Sequence, residues 1–123
     1  MRASAALNTS MPTPIPLSEC PGLIDLMLTG EGLGPSFTLN GVQCDVAQVE
    51  GHACFEAVTP DFGLSVIYPG WYAGEHGAPA QIVIVGDIQD CLQWLPIDPA
   101  DKRALIDRLP LDEINKTMFT LAV

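Results

Sequence analysis

Three features of the sequence predict an α+β fold. Apolar and polar residues alternate with period two from Ser36 to Val58, Asn40-Gly41 is a hairpin turn signal, and after Gly86 the apolar spacing becomes helical. The expected architecture is an antiparallel β-meander of about four to five strands packed against two or three short helices. One α+β domain over residues 17–123 follows a flexible N-terminal arm over residues 1–16, where Pro12, Pro14 and Pro16 stand among Ser, Thr and Ala.

The elements follow in order. Ser18 to Gly30 is expected to be a short helix, with Ser18 as cap, Pro21 in the first turn, Gly30 as stop and an apolar stripe of Leu23, Ile24, Met27 and Leu28. Phe37 and Leu39 alternate with polar residues up to the Asn40-Gly41 turn. Val42–Val49 and His52–Val58 are strands joined by Glu50-Gly51, and Leu64–Tyr68 follows the turn chemistry of 59–63. Gln81–Val85 is β-branched on both faces, which suits a central buried strand. Ile88, Cys91, Leu92 and Leu95 recur at helical spacing. Asp98-Pro99 opens a further helix, whose stripe is Leu105, Ile106 and Leu109. A short helical turn is expected from Asp112 to Thr117, and a last strand from Met118 to Val123 with Phe119, Leu121 and Val123 on one face.

The charge distribution bounds the function more tightly than any motif does. No lysine or arginine occurs between Arg2 and Lys102, a stretch holding twelve carboxylates, and the formal net charge is −10. Such a field repels nucleic acid and anionic membranes and attracts basic proteins and cations. Charged residues are only 16% of the chain, so the imbalance reflects scarce cations, and a globular core remains affordable at 48% hydrophobic residues. The cationic group Lys102, Arg103 and Arg108 is expected to be balanced by Asp98, Asp101 and Asp107 on the same helix. No stretch has the length of a membrane span and the N-terminus lacks the core of a secretion signal, so a cytoplasmic location is expected.

Four cysteines stand at positions 20, 44, 54 and 91, spaced too widely for a zinc knuckle, and are expected to act as small buried hydrophobes. Pairing Val42–Val49 with His52–Val58 through a two-residue turn puts Asp45 opposite Glu56, Ala47 opposite Cys54 and Val49 opposite His52. Cys44, Val46, Ala53, Phe55 and Ala57 then form the core face. Two carboxylates facing each other on the other side are either a solvated pair or a docking place for a partner's cations. Metal binding by Asp45, Glu56 and His52 fits poorly, because His52 and Glu56 are about 13 Å apart along one strand. A second candidate is the loop from Tyr68 to His76, where Trp71, Tyr72 and Glu75 sit among glycines, as contact residues or as a lid over the core.

No nucleophile stands within reach of His52 or His76, and no phosphate loop, dinucleotide fingerprint or hydrolase signature occurs. The chain is therefore expected to be a small acidic non-enzymatic binding or inhibitor protein that docks onto a basic protein surface. An anti-defence inhibitor of a nucleic-acid-binding complex and an immunity protein against a cationic toxin are two such types. The expected contact residues are Asp45, Glu50, Glu56, Asp61, Trp71, Tyr72 and Glu75, with no cofactor, no metal, no direct nucleic acid contact and no membrane. The alternative is a structural or assembly module that self-associates, as a homo-oligomer, through its sheet edge or its apolar C-terminal segment.

Overall fold

A computed structural model describes residues 12–16, 18–49, 52–68 and 79–123. Its strands are β1 (Thr13–Ile15), β2 (Ser36–Leu39), β3 (Val42–Val49), β4 (His52–Val58), β5 (Phe62–Tyr68) and β6 (Ala80–Gly86). Its helices are α1 (Gly22–Leu33), α2 (Ile88–Trp94), α3 (Pro99–Arg108) and α4 (Glu113–Ala122). The strands form one antiparallel sheet in the order β1-β6-β5-β4-β3-β2. The α+β meander is thus present, with six strands among the described residues rather than four or five.

The extra strand is a departure from the expected arm. Thr13 and Ile15 pair with Ile82 and Ala80 and are buried, while Pro14 points outward. A proline lacks the N–H that an inner strand must donate, so this short strand is confined to the sheet edge.

The helices cover one face of the sheet. Helix α1 packs on β2, β3 and β4, α2 on β5 and β6, α3 on β1, and α4 on α3. Beneath them, alternate residues of each strand build the core, among them Cys44, Phe55, Leu64, Val66, Tyr68, Ile82 and Ile84. The β3–β4 register is the one the two-residue turn dictates, with Asp45 facing Glu56 and Ala47 facing Cys54. Asn40 and Gly41 adopt φ of 49° and 81°, the positive pair that a tight hairpin turn needs.

Helix α1 differs from expectation at both ends. It starts at Gly22, whose N–H donates to the Asp101 carboxylate at 2.9 Å, so a residue of α3 caps it in place of Ser18. It then runs through Gly30 and stops at Gly34, φ 103°. Gly30 stays helical because it is a packing position: a Cβ there would lie 2.6 Å from Val46 Cγ2. The buried face carries Leu23 and Leu26, while the side chains of Ile24, Met27 and Leu28 lie outside the described residues.

Helix α2 is capped by the Asp87 carboxylate, which accepts the Asp90 N–H, and it buries Ile88, Cys91 and Leu92 as expected. Asp98 stands at the start of α3 without a side-chain capping bond, and Leu105, Ile106 and Leu109 are buried. The C-terminal strand is overturned. Met118–Ala122 continues a helix that Asp112 caps by accepting the Asn115 N–H at 2.8 Å. Asn115 and Phe119, four residues apart, face inward, and Leu121 projects into solvent. A local cap and a 3.6-residue period outcompeted three alternating apolar residues.

The four cysteines are free thiols; Cys20, Cys44 and Cys91 are buried in the core and Cys54 is half-buried on the opposite face. No helix among the described residues is long and apolar enough to cross a membrane.

Candidate functional site

The sheet face opposite the helices carries the candidate site, because alternation sends every second strand residue there. One row across it reads Ser36, Asp45, Glu56, Ser65 and Val83, and the next reads Ala47, Cys54, Ile67, Gln81 and Pro14. A third places Gly63 beside Val58 and Val85. The face therefore carries its two carboxylates on β3 and β4, flanked by Ser36 and Ser65, and has Ile67, Val83 and Val85 on β5 and β6.

Asp45 and Glu56 are both exposed, and direct cross-strand partners hold their Cβ atoms about 4.5–5.5 Å apart. None of the described residues pointing to this face is a lysine or an arginine. The described cations lie on α3 and α4, where Arg108 is paired with Glu19 and Lys102 donates to the Gln93 carbonyl at 3.4 Å. The balance expected within α3 is hence made differently, since Asp101 is engaged with α1 and Arg108 reaches residue 19.

Asp61 lies in the turn between β4 and β5. That turn is held by Thr59, whose hydroxyl accepts the N–H groups of Asp61 and Phe62 at 3.1 and 3.0 Å. The turn is pinned to the end of β6 by the Asp87 N–H, which donates to the Asp61 carbonyl at 2.9 Å. Gly86 allows this approach, since its φ is 84° and a Cβ there would run into the same carbonyl oxygen.

Of the expected contact residues, the structure brings Asp45 and Glu56 together on one face and sets Asp61 at the end of the same sheet. Glu50, Trp71, Tyr72 and Glu75 lie outside the described residues. A feature the sequence reading missed is a recess centred on Gly63. Two shallow hollows meet there, of about 210 Å³ beside Glu56, Val83 and Val85 and about 280 Å³ beside Asp61 and Gly86. The sequence placed Gly63 in the turn 59–63, but β5 begins at Phe62, so Gly63 stands inside the strand and leaves a gap in the side-chain surface.

Burial, and next the Glu56 charge, push the Cys54 thiol upward, which keeps it protonated and a weak nucleophile. His52 stands two residues away on the same strand, about 7 Å along it. No group of three potential metal ligands occurs among the described residues. No known protein family, curated protein or solved structure matches the chain.

Proposed function

We propose that this protein is a non-enzymatic binding protein that docks the sheet face covered by no described helix onto a basic surface of another protein, in the manner of an anti-defence inhibitor or an immunity protein. The observation that carries this reading is the cross-strand pair Asp45 and Glu56, exposed on a face with no described lysine or arginine. Like charges directly opposite each other cost stability in the free protein. A partner's arginine or lysine removes that cost on binding, so the arrangement favours the bound state. Electrostatic docking of this kind speeds association and weakens with salt.

The test is capture of a basic partner from a cell extract, followed by affinity measurement at about 50 and 300 mM salt, spanning Debye lengths of roughly 14 to 6 Å. Affinity that falls steeply with salt, and falls again in an Asp45→Asn/Glu56→Gln variant, supports the reading. Affinity indifferent to both refutes it.

A second reading is self-association through the C-terminal segment. Ile114, Met118 and Leu121 form a stripe along α4 that is 74%, 47% and 80% exposed. A contiguous apolar stripe on a helix is a recurrent contact surface. Sizing at several protein concentrations separates the two readings, and a mass that stays monomeric throughout removes the second.

A further inference from the structure

We infer that the recess at Gly63 is the anchor position of the open face: it receives one branched aliphatic side chain from an extended partner segment whose flanking residues are lysine or arginine. This rests on the docking reading above and names the chemistry of the segment.

The argument begins with the missing side chain. Gly63 lies between Val58 and Val85, and these neighbours are 65% and 46% exposed. Two exposed valines beside a strand glycine form an apolar dimple whose walls are unusually wet, and covering them is favourable. The two hollows that meet there hold enough space for a leucine or isoleucine side chain.

Charge complementarity selects the occupant. Glu56 borders the first hollow and Asp61 the second, so a carboxylate stands on either side of the apolar centre. In an extended segment, residues i−2, i and i+2 project to one side. A segment with an aliphatic residue at i and cations at i−2 and i+2 therefore matches the face in both respects. A second copy of this chain matches less well, because the described cations lie on α3 and α4, away from any such strand.

The experiment uses two capped peptides of equal charge, Lys-Ser-Leu-Ser-Lys and Lys-Ser-Ser-Ser-Lys, titrated into the full chain at low salt and followed by amide and methyl NMR. The leucine peptide is expected to shift the Gly63 amide and the Val58 and Val85 methyl groups saturably. It is expected to bind roughly five- to tenfold more tightly than the serine peptide, as partial burial of one aliphatic side chain implies. Gly63→Ala puts a methyl group in the recess, 2.9 Å from Val85 Cγ2, so the β-branched valine must shift to make room. Val58→Thr keeps the shape and the exposure while making one wall polar. Either variant should bring the two peptides within about twofold of each other while leaving the serine peptide's binding unchanged.

Equal binding of both peptides to the unaltered protein overturns the anchor and leaves the electrostatic docking reading standing. Binding by neither peptide at any salt concentration overturns both. Shifts at Gly63 that grow with protein concentration alone show a second copy to be the occupant and also overturn the proposal.

Discussion

Asp45 and Glu56 face each other across the β3–β4 ladder, on the side of the sheet that no described helix covers. A core position would have left two like groups without water, whereas an open face leaves both carboxylates beside solvent. The pair is thus affordable but unfavourable, and that tension is measurable.

Neutralising one member should stabilise the free protein. Asp45→Asn or Glu56→Gln is expected to raise stability by roughly 0.2–1 kcal/mol at low ionic strength, with the gain shrinking as salt is added. Thermal melts at two salt concentrations check this. A variant less stable than the parent at low salt would show that the carboxylate makes a favourable contact instead.

Asp101 should matter more than its place in the first turn of α3 implies, because its carboxylate accepts the Gly22 N–H at the start of α1. Asp101→Ala is expected to cost about 0.5–2 kcal/mol, the usual range for losing a helix cap, and Asp101→Asn to recover much of it. Denaturant unfolding of the two variants provides the comparison. Equal losses would assign the effect to charge, and no loss would dismiss the cap.

The β2–β3 turn is tied to α2 by two bonds: the Trp94 indole N–H donates to the Leu39 carbonyl at 3.0 Å, and the Asn40 amide donates to the Trp94 carbonyl at 2.9 Å. Asn40→Ala loses one bond and places alanine at φ 49°, for a combined cost of roughly 2–3 kcal/mol. Asn40→Gly relieves the backbone alone and should lose only about half as much. Identical destabilisation of the two variants would mean that the conformation carries no cost.

Alkaline pH should destabilise the fold. Burial pushes the Cys20 and Cys91 thiols from an ordinary value of 9.0 up to about 12, and burial pushes the Tyr68 phenol upward as well. Above pH 9 the unfolded chain releases these protons while the folded chain keeps them. The folded state then binds more protons, so stability falls as pH rises from about 9 toward 12. For Cys91 the slope approaches about 1.4 kcal/mol per pH unit. Denaturant unfolding at pH 8 and pH 10 should show the loss, and a Cys20→Ser/Cys91→Ser variant should lose less. A flat profile in the parent protein would contradict the burial argument.

Much of the sheet was legible because its signals are local. A two-residue turn and a period of two fix the β3–β4 pairing, so the opposition of Asp45 and Glu56 follows from the chain itself. The strand at Thr13–Ile15 was not legible, since three residues among prolines carry no periodicity and gain structure only from β6. Met118–Val123 misled in the other direction: Phe119, Leu121 and Val123 alternate, yet the capping by Asp112 and the burial of Asn115 and Phe119 decide for helix. The Gly63 recess was not legible, since its glycine reads as part of the turn 59–63 and its walls come from two other strands.

Strand β1 has one further implication. Each of the other strands lies beside its predecessor or successor in the chain, but Ile15 is matched to Ala80, 65 positions downstream. Emerging from a ribosome, the meander can assemble hairpin by hairpin while the first strand waits for a partner not yet synthesised. Its three residues are then the last stitch in the sheet and the first to come undone, so amide exchange should be fastest there and slowest in β4 and β5.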